Sequence, residues 1–319
     1  MFCLQKLIRM NRTVLFVLGL VGVLLSCEEE FVPASADLPP AIVVEGYIEA
    51  SAQPRPSFVI LTRTTSFFSE FSAEDFNASF ISGADVRITD GQDTVQLQEV
   101  CLNELSPLEK QLAADAFGLA LDSLGFNLCL YIDMNFAMVG QEGQTYTLLV
   151  EAEEQQLHAV TRIPEHVPID SLNFREPPGE PIDTLAQLLG YIQDPAGVPN
   201  FYRYQVGVNG GPIISPGASV TDDRLFDGDD VEFPLLRPIP RGDTDIDLET
   251  FGLYTVGDTV TVKWMAIDEA HFDFWNTVEF NTANQGPFSS YTLIESNVEG
   301  GLGIWGGMSA SYYTLPLAR

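Results

Sequence analysis

The chain has 319 residues, of which 45% are hydrophobic and 11% aromatic, enough to fill sizeable cores and to suggest two domains. Its 45 acidic residues outnumber 15 basic ones, for a net charge of −30, and such a field repels phosphate backbones and argues against nucleic acid as a partner. Cationic or metal-bearing ligands remain compatible, although solubility is the commoner reason for an acidic surface. The chain opens with Lys6, Arg9 and Arg12, followed by the uncharged apolar run Val14 to Leu25. A bilayer-spanning helix needs about 20 apolar residues, so this shorter run reads as a signal peptide. Met10 offers an alternative start, because Met10-Asn11-Arg12 and the apolar run already make a compact signal.

Next comes Leu24-Leu25-Ser26-Cys27. It resembles the bacterial lipobox, with Leu at −3, a small residue at −1 and then Cys. The resemblance implies lipidation of Cys27 and cleavage before it, so that residues 1–26 are removed. Cleavage leaves 12 basic against 45 acidic residues, a net charge of −33. Two or three acyl chains give stable anchoring where one chain would be marginal. Glu28-Glu29-Glu30 resembles the acidic export signal of Bacteroidota surface lipoproteins. It predicts an acidic tether, residues 27–39, and an outer-membrane protein facing the cell exterior. The alternative is a plain solvated linker on a protein of the periplasmic leaflet.

From residue 40 the pattern is mostly β. "AIVVEGYIEA" and "PSFVILTRTTSF" are rich in β-branched and aromatic residues, and "ADVRITD" and "TVQLQEV" flank the hairpin signal Asp90-Gly91-Gln92-Asp93. "QTYTLLVEAEE" and "QLHAVTRIP" alternate in the same way. Six or seven strands between 40 and 164 suit an immunoglobulin-like β-sandwich. Cys101 and Cys129 lie in the strand-like runs "LQEVCLN" and "FNLCLYID". In an oxidising compartment they are expected to pair as a disulfide, the alternative being two buried free thiols. Between them "SPLEKQLAADAFGLALDSLG" fits an amphipathic helix, with Ser106 as N-cap and Gly125 as stop. Pro164 and Pro168 break the pattern and place a domain boundary there, giving 40–164 and 165–319.

The second segment is again β-rich, from "IDSLNFRE", "LAQLLGYIQD" and "NFYRYQVGVNG" through "DVEFPLLRP" and "DTVTVKWMAID" to "SASYYTLPL". One packed helix is expected over 268–278, its acidic start suiting the helix dipole. "EGGLGIWGG" at 299–307 allows close backbone approach or bulges before a final strand. The fold class is therefore mainly β: a sandwich with a helical insert, then a second β-rich domain with one packed helix.

Several motifs invite a functional reading. Asp268-Glu269-Ala270-His271 spells a helicase box, but the phosphate-cradling loop that such chemistry needs is missing, and only Lys110 and Lys263 follow the signal. His158, His166 and His271 form no metal-binding His pair, and no nucleophile elbow is present. Asp222, Asp223, Asp227 and Asp229 surround Gly228 and can offer several oxygens to Ca²⁺; the alternative is a charged turn in which Arg224 pairs with one carboxylate. Phe272, Phe274, Trp275, Phe288, Tyr291 and Trp305 can line a ligand platform, but filling a β core is the commoner use. Asp93-Thr94-Val95 and four similar tripeptides resemble an O-glycosylation pattern of exported Bacteroidota proteins, and equally ordinary turn-to-strand junctions.

Taken together, Cys27, "IVVEGYI", "GADVRITD", "GQTYTLLVEA", "IPEHVPIDSLNF", "DDRLFDGDDVEF", "GDTVTVKWMAIDEAHFDFW", "NQGPFS" and "SNVEGGLGIWGG" resemble the domain-of-unknown-function 4249 family of Bacteroidota outer-membrane lipoproteins. The Cys-flanked helical insert departs from the family pattern. The resemblance implies an accessory to a TonB-dependent outer-membrane receptor in nutrient uptake, with no established activity or cofactor. A binding or docking role is favoured because no catalytic signature is present. The alternative is a surface-anchored hydrolase that processes the nutrient before uptake, and a cleft gathering His, Asp and Ser would point to it.

Overall fold

A computed structural model describes residues 39–53, 55–65, 72–110, 127–178, 182–239, 249–283 and 293–317. All of these except Pro39 belong to one compact unit made of 40–65 and 69–319. The chain is mainly β. Strand β1 (Ile42–Ser51) turns Ile42, Val44, Ile48 and Ala50 into a core, while Tyr47 and Glu49 point to the opposite face, as the period of two requires. It pairs antiparallel with β2 (Phe58–Arg63); β2 pairs with β6 (Cys129–Ile132), and β6 with β5 (Gln98–Cys101). On its other edge β1 runs parallel to β17 (Leu302–Pro316), in register from Val43–Leu302 to Ser51–Ala310. Beyond β17 come β15 (Thr259–Ile267), β11 (Phe201–Val208) and β12 (Val220–Asp222), completing one eight-stranded sheet from both halves of the chain.

Two smaller sheets cover one face of the long sheet. The first contains β3 (Asp85–Thr89), β4 (Thr94–Gln96), β7 (Thr145–Ala152), β8 (Gln155–Arg162) and β16 (Val298–Glu299). It encloses a core of Val44, Ile48, Leu61, Ile88, Leu148 and Trp305 among others. The second contains β10 (Leu185–Gln193), with β9 (Ser171–Arg175), β13 (Asp230–Leu235) and β14 (Tyr254–Thr255) bonded to it. Its core holds Leu188, Tyr202, Leu235, Tyr254 and Trp264. In the connection after β8 the two cores part: Ile163 belongs to the first and Val167 to the second, although Val298 and Trp305 return to the first.

Among the described residues, two helices cover the other face. Helix α1 (Ala73–Ser79) begins with a Ser72–Asp75 capping box and adds Phe76 to a small cluster with Phe58, Ile60 and Leu130. Helix α2 (Glu269–Ala283) places Phe272 on Met265, Ile267 and Met308. The hairpin expected at Asp90–Asp93 forms: Asp90 Oδ1 accepts the N–H groups of Gln92 and Asp93 at 2.9 and 2.8 Å. Gly91 supplies the positive φ there. Ser106 opens a helical turn at 107–110 by accepting the Glu109 N–H, while Glu109 accepts the Ser106 N–H at 2.8 Å. Gly125 and the rest of the expected insert, 111–126, lie outside the described residues. The final strand starts earlier than the glycines suggest. β17 takes in residues 302–307 because Gly303, with φ +110°, lets the backbone pass where a Cβ would collide with the Val44 carbonyl.

Candidate functional site

A cleft of about 430 Å³ opens where the two cores part. Ala50 and Ser51 of β1, Ala310 and Ser311 of β17, the loop Gly140–Glu142 and His166 line it. The segment carrying His166 is fixed from three sides. Glu142 Oε2 accepts the His166 N–H at 3.1 Å; the Val167 carbonyl accepts Trp264 Nε1–H at 2.8 Å; and Ile169 N–H donates to the Tyr313 hydroxyl at 3.0 Å. Gly140 shapes the opposite wall, since a Cβ there would come within 2.6 Å of the Glu49 carbonyl.

These restraints set the His166 imidazole against β17, with Nε2 2.7 Å from Ser311 Oγ. Burial lowers the affinity of the ring for a second proton below that of an ordinary histidine, while the Ser309 carbonyl and Glu142 pull the other way. In the neutral tautomer that carries its hydrogen on Nδ1, Nε2 is free to accept the Ser311 hydroxyl proton; the contact distance is the same for either tautomer. Among the described residues, Nδ1 is buried without a hydrogen-bond partner, as is the hydroxyl of Ser309. Both Ser311 and His166 are half-buried, so the pair is reachable from the cleft. No sequence motif contains it: the two residues lie 145 positions apart, and the parallel β1–β17 pairing helps bring their surroundings together.

The acidic run assembles differently from its linear reading. Asp223 and Asp227 meet Asp194, which follows β10, with one oxygen of each within 4.8 Å of the others. Asp222 and Asp229 fall outside this group. Asp222 binds Arg224 Nε at 2.8 Å, and Asp229 uses its carbonyl to accept the Asp194 N–H at 3.1 Å. The three gathered carboxylates offer hard oxygen ligands of the kind Ca²⁺ takes. Each also locks a loop. Asp194 accepts from the Tyr202 hydroxyl and Gly228 N–H, Asp223 from Asn200 N–H at 2.7 Å, and Asp227 from Gly197 N–H at 2.6 Å.

The remaining candidates have structural partners. Asp268 caps α2: its Oδ1 accepts the His271 N–H at 2.9 Å, and its Oδ2 accepts from Thr161 Oγ1 at 2.6 Å. His271 is fully buried, and its Nδ1 lies 3.3 Å from the Gly307 carbonyl. Trp305 and Phe272 are core residues, whereas Trp275 lies under the Arg203 guanidinium, 3.7 Å from the ring centroid. Phe288, Tyr291 and Cys27 lie outside the described residues. Cys101 and Cys129 are joined as a disulfide across β5 and β6, with Cα atoms 4.0 Å apart. The sequence reading missed a polar group on the outer face of the long sheet. There Glu49 takes Lys263 Nζ at 2.6 Å and the Tyr312 hydroxyl at 3.0 Å. Burial lowers the pKa of the Lys263 ammonium, and the neighbouring Glu49 carboxylate offsets part of that shift.

No curated protein matches the chain. The sequence model of one family, described as Domain of unknown function (DUF4249), matches residues 28–314, nearly the whole of the chain after Cys27, and the chain belongs to that family.

Proposed function

We propose that this protein is a lipid-anchored accessory of the outer membrane, facing the cell exterior, that binds or docks beside a TonB-dependent receptor in nutrient uptake. The observation that carries the reading is an order along the chain: a basic start, a short apolar run, Cys27, and then the family region from residue 28. A lipid on Cys27 would tether the whole folded body to a surface. Diffusion there is two-dimensional, so even a modest interface with a tethered partner is well occupied.

The C-terminal segment is the part proposed to make or gate the contact. Its loops 194–200 and 223–229 are locked together by Asp223 and Asp227, and they expose Val198 at 58% and Leu225 at 94%. Rigid loops that present apolar side chains on an otherwise acidic body suit a specific docking edge. Gentle detergent extraction from the native host, followed by mass spectrometry, tests this. The receptor is expected to co-purify with the wild-type chain and to be lost with Cys27→Ala, which should also leave the membrane fraction. A wild-type chain that purifies alone, and whose deletion leaves uptake through the neighbouring receptor unchanged, would end the proposal.

A further inference from the structure

The Ser311–His166 contact goes beyond a docking role. A serine hydroxyl donating to a neutral imidazole nitrogen in an accessible cleft is the arrangement that activates a nucleophile. Here it is built into rigid elements: Ser311 sits on the longest strand, and His166 on a segment held by Glu142, Trp264 and Tyr313. The buried Nδ1 has no carboxylate partner among the described residues, so the imidazole is a modest base. Modest activation suits a good leaving group, an ester alkoxide rather than an amide nitrogen. Three alanines, Ala50, Ala52 and Ala310, favour a short acyl group, and Glu142 at the cleft favours a neutral or cationic substrate.

We propose that Ser311 is an acyl-accepting nucleophile and His166 its general base, hydrolysing short-chain carboxylic esters in this cleft. Ser311 Oγ attacks the ester carbonyl as its proton passes to His166 Nε2. The carbon–oxygen bond to the alkoxide breaks, and the alkoxide leaves with that proton, giving an acyl-serine. Water then attacks the acyl carbon and gives its proton to Nε2; the bond to Oγ breaks, and the proton returns to Ser311. The sum is ester plus water giving acid plus alcohol, with no redox change.

The full chain, extracted in mild detergent, is treated with a fluorophosphonate and mapped by mass spectrometry, with p-nitrophenyl acetate turnover measured in parallel. One phosphonyl adduct is expected on the Ser311 peptide, and none in Ser311→Ala. His166→Gln should slow labelling by about 100-fold or more, within the usual range for loss of a general base. The wild-type labelling rate should fall on acidification with a midpoint below pH 6.5, the ordinary histidine value, because the buried ring resists protonation. Folding of each variant is checked by thermal melting, and the wild-type adduct and pH profile stand without the variants. A folded wild-type protein with no adduct on Ser311, or one labelled at the same rate in folded His166→Gln, overturns the assignment. Neither result bears on whether a receptor co-purifies.

Discussion

His271 shows how one side chain couples folding to pH. It stands in the first turn of α2 and is fully buried against β17, its Nε2 has no hydrogen-bond partner among the described residues, and burial followed by the charges of Arg203 and Lys263 pushes its pKa down to about 3. The unfolded chain takes up a proton near 6.5, the ordinary histidine value, whereas the folded chain refuses it until about 3. Stability is therefore complete above pH 6.5 and declines as pH falls through this window, by several kcal/mol in all. Asp268, whose carboxyl burial raises, works in the opposite direction and offsets part of the loss. Urea titrations between pH 7 and pH 4.5 should show the wild type losing stability steeply. His271→Gln should start about 1–3 kcal/mol less stable, from the disturbed packing and hydrogen bond, yet show a shallower slope. An unchanged slope would mean that His271 does not govern it. The linear tetrapeptide 268–271 gave no hint of this, because burial by β17 comes from a strand thirty-odd residues away.

At the scale of elements, the sequence was most legible where periodicity is long. β1, β7, β8, β10, β11 and β15 follow alternating or β-branched runs of eight to ten residues, and α2 follows an acidic start and an apolar stripe. Two-residue β14 and β16 and seven-residue α1 carry too few side chains to show a period. The acidic site was half legible: Asp223 and Asp227 stand in one run, but Asp194 reaches them only through the sheet. The disulfide was legible as a pairing of two strand-like runs. It closes a loop with a sequence separation of 28 and sits on the edge pair β5–β6, where Cys101 faces Cys129. Constraint of the unfolded chain by a loop of this length is worth about 3–4 kcal/mol. Mass mapping without reductant should show the two peptides linked, and Cys101→Ala with Cys129→Ala should lower stability by about that amount. Quantitative alkylation of both thiols in exported protein would contradict the bridge.

The whole molecule is organised by a strand that returns. Segment 40–164 supplies most of the first core, but Trp305 and Val298, which complete it, come from the end of the chain. Trp305 is fully buried, and its Nε1–H donates to the Tyr146 carbonyl at 3.2 Å, so β17 serves the first core while it also pairs with β15 in the long sheet. Without β17, strand β1 would lose its parallel partner along nine registered pairs and expose an edge of unpaired backbone groups. Truncating a buried tryptophan alone costs about 3–5 kcal/mol, a large fraction of the stability of an ordinary domain. The proline-marked boundary at 164 is therefore expected to separate cores without separating folding units. Residues 40–164 expressed alone should lack a cooperative thermal transition and bind a hydrophobic dye. In the full chain Trp305→Ala should shift the unfolding of both halves together, read by tryptophan fluorescence for the second core and by protection of the 145–162 amides for the first. A cooperative transition in isolated 40–164, or loss of protection confined to the first core, would make the halves independent domains joined only by their sheet edge.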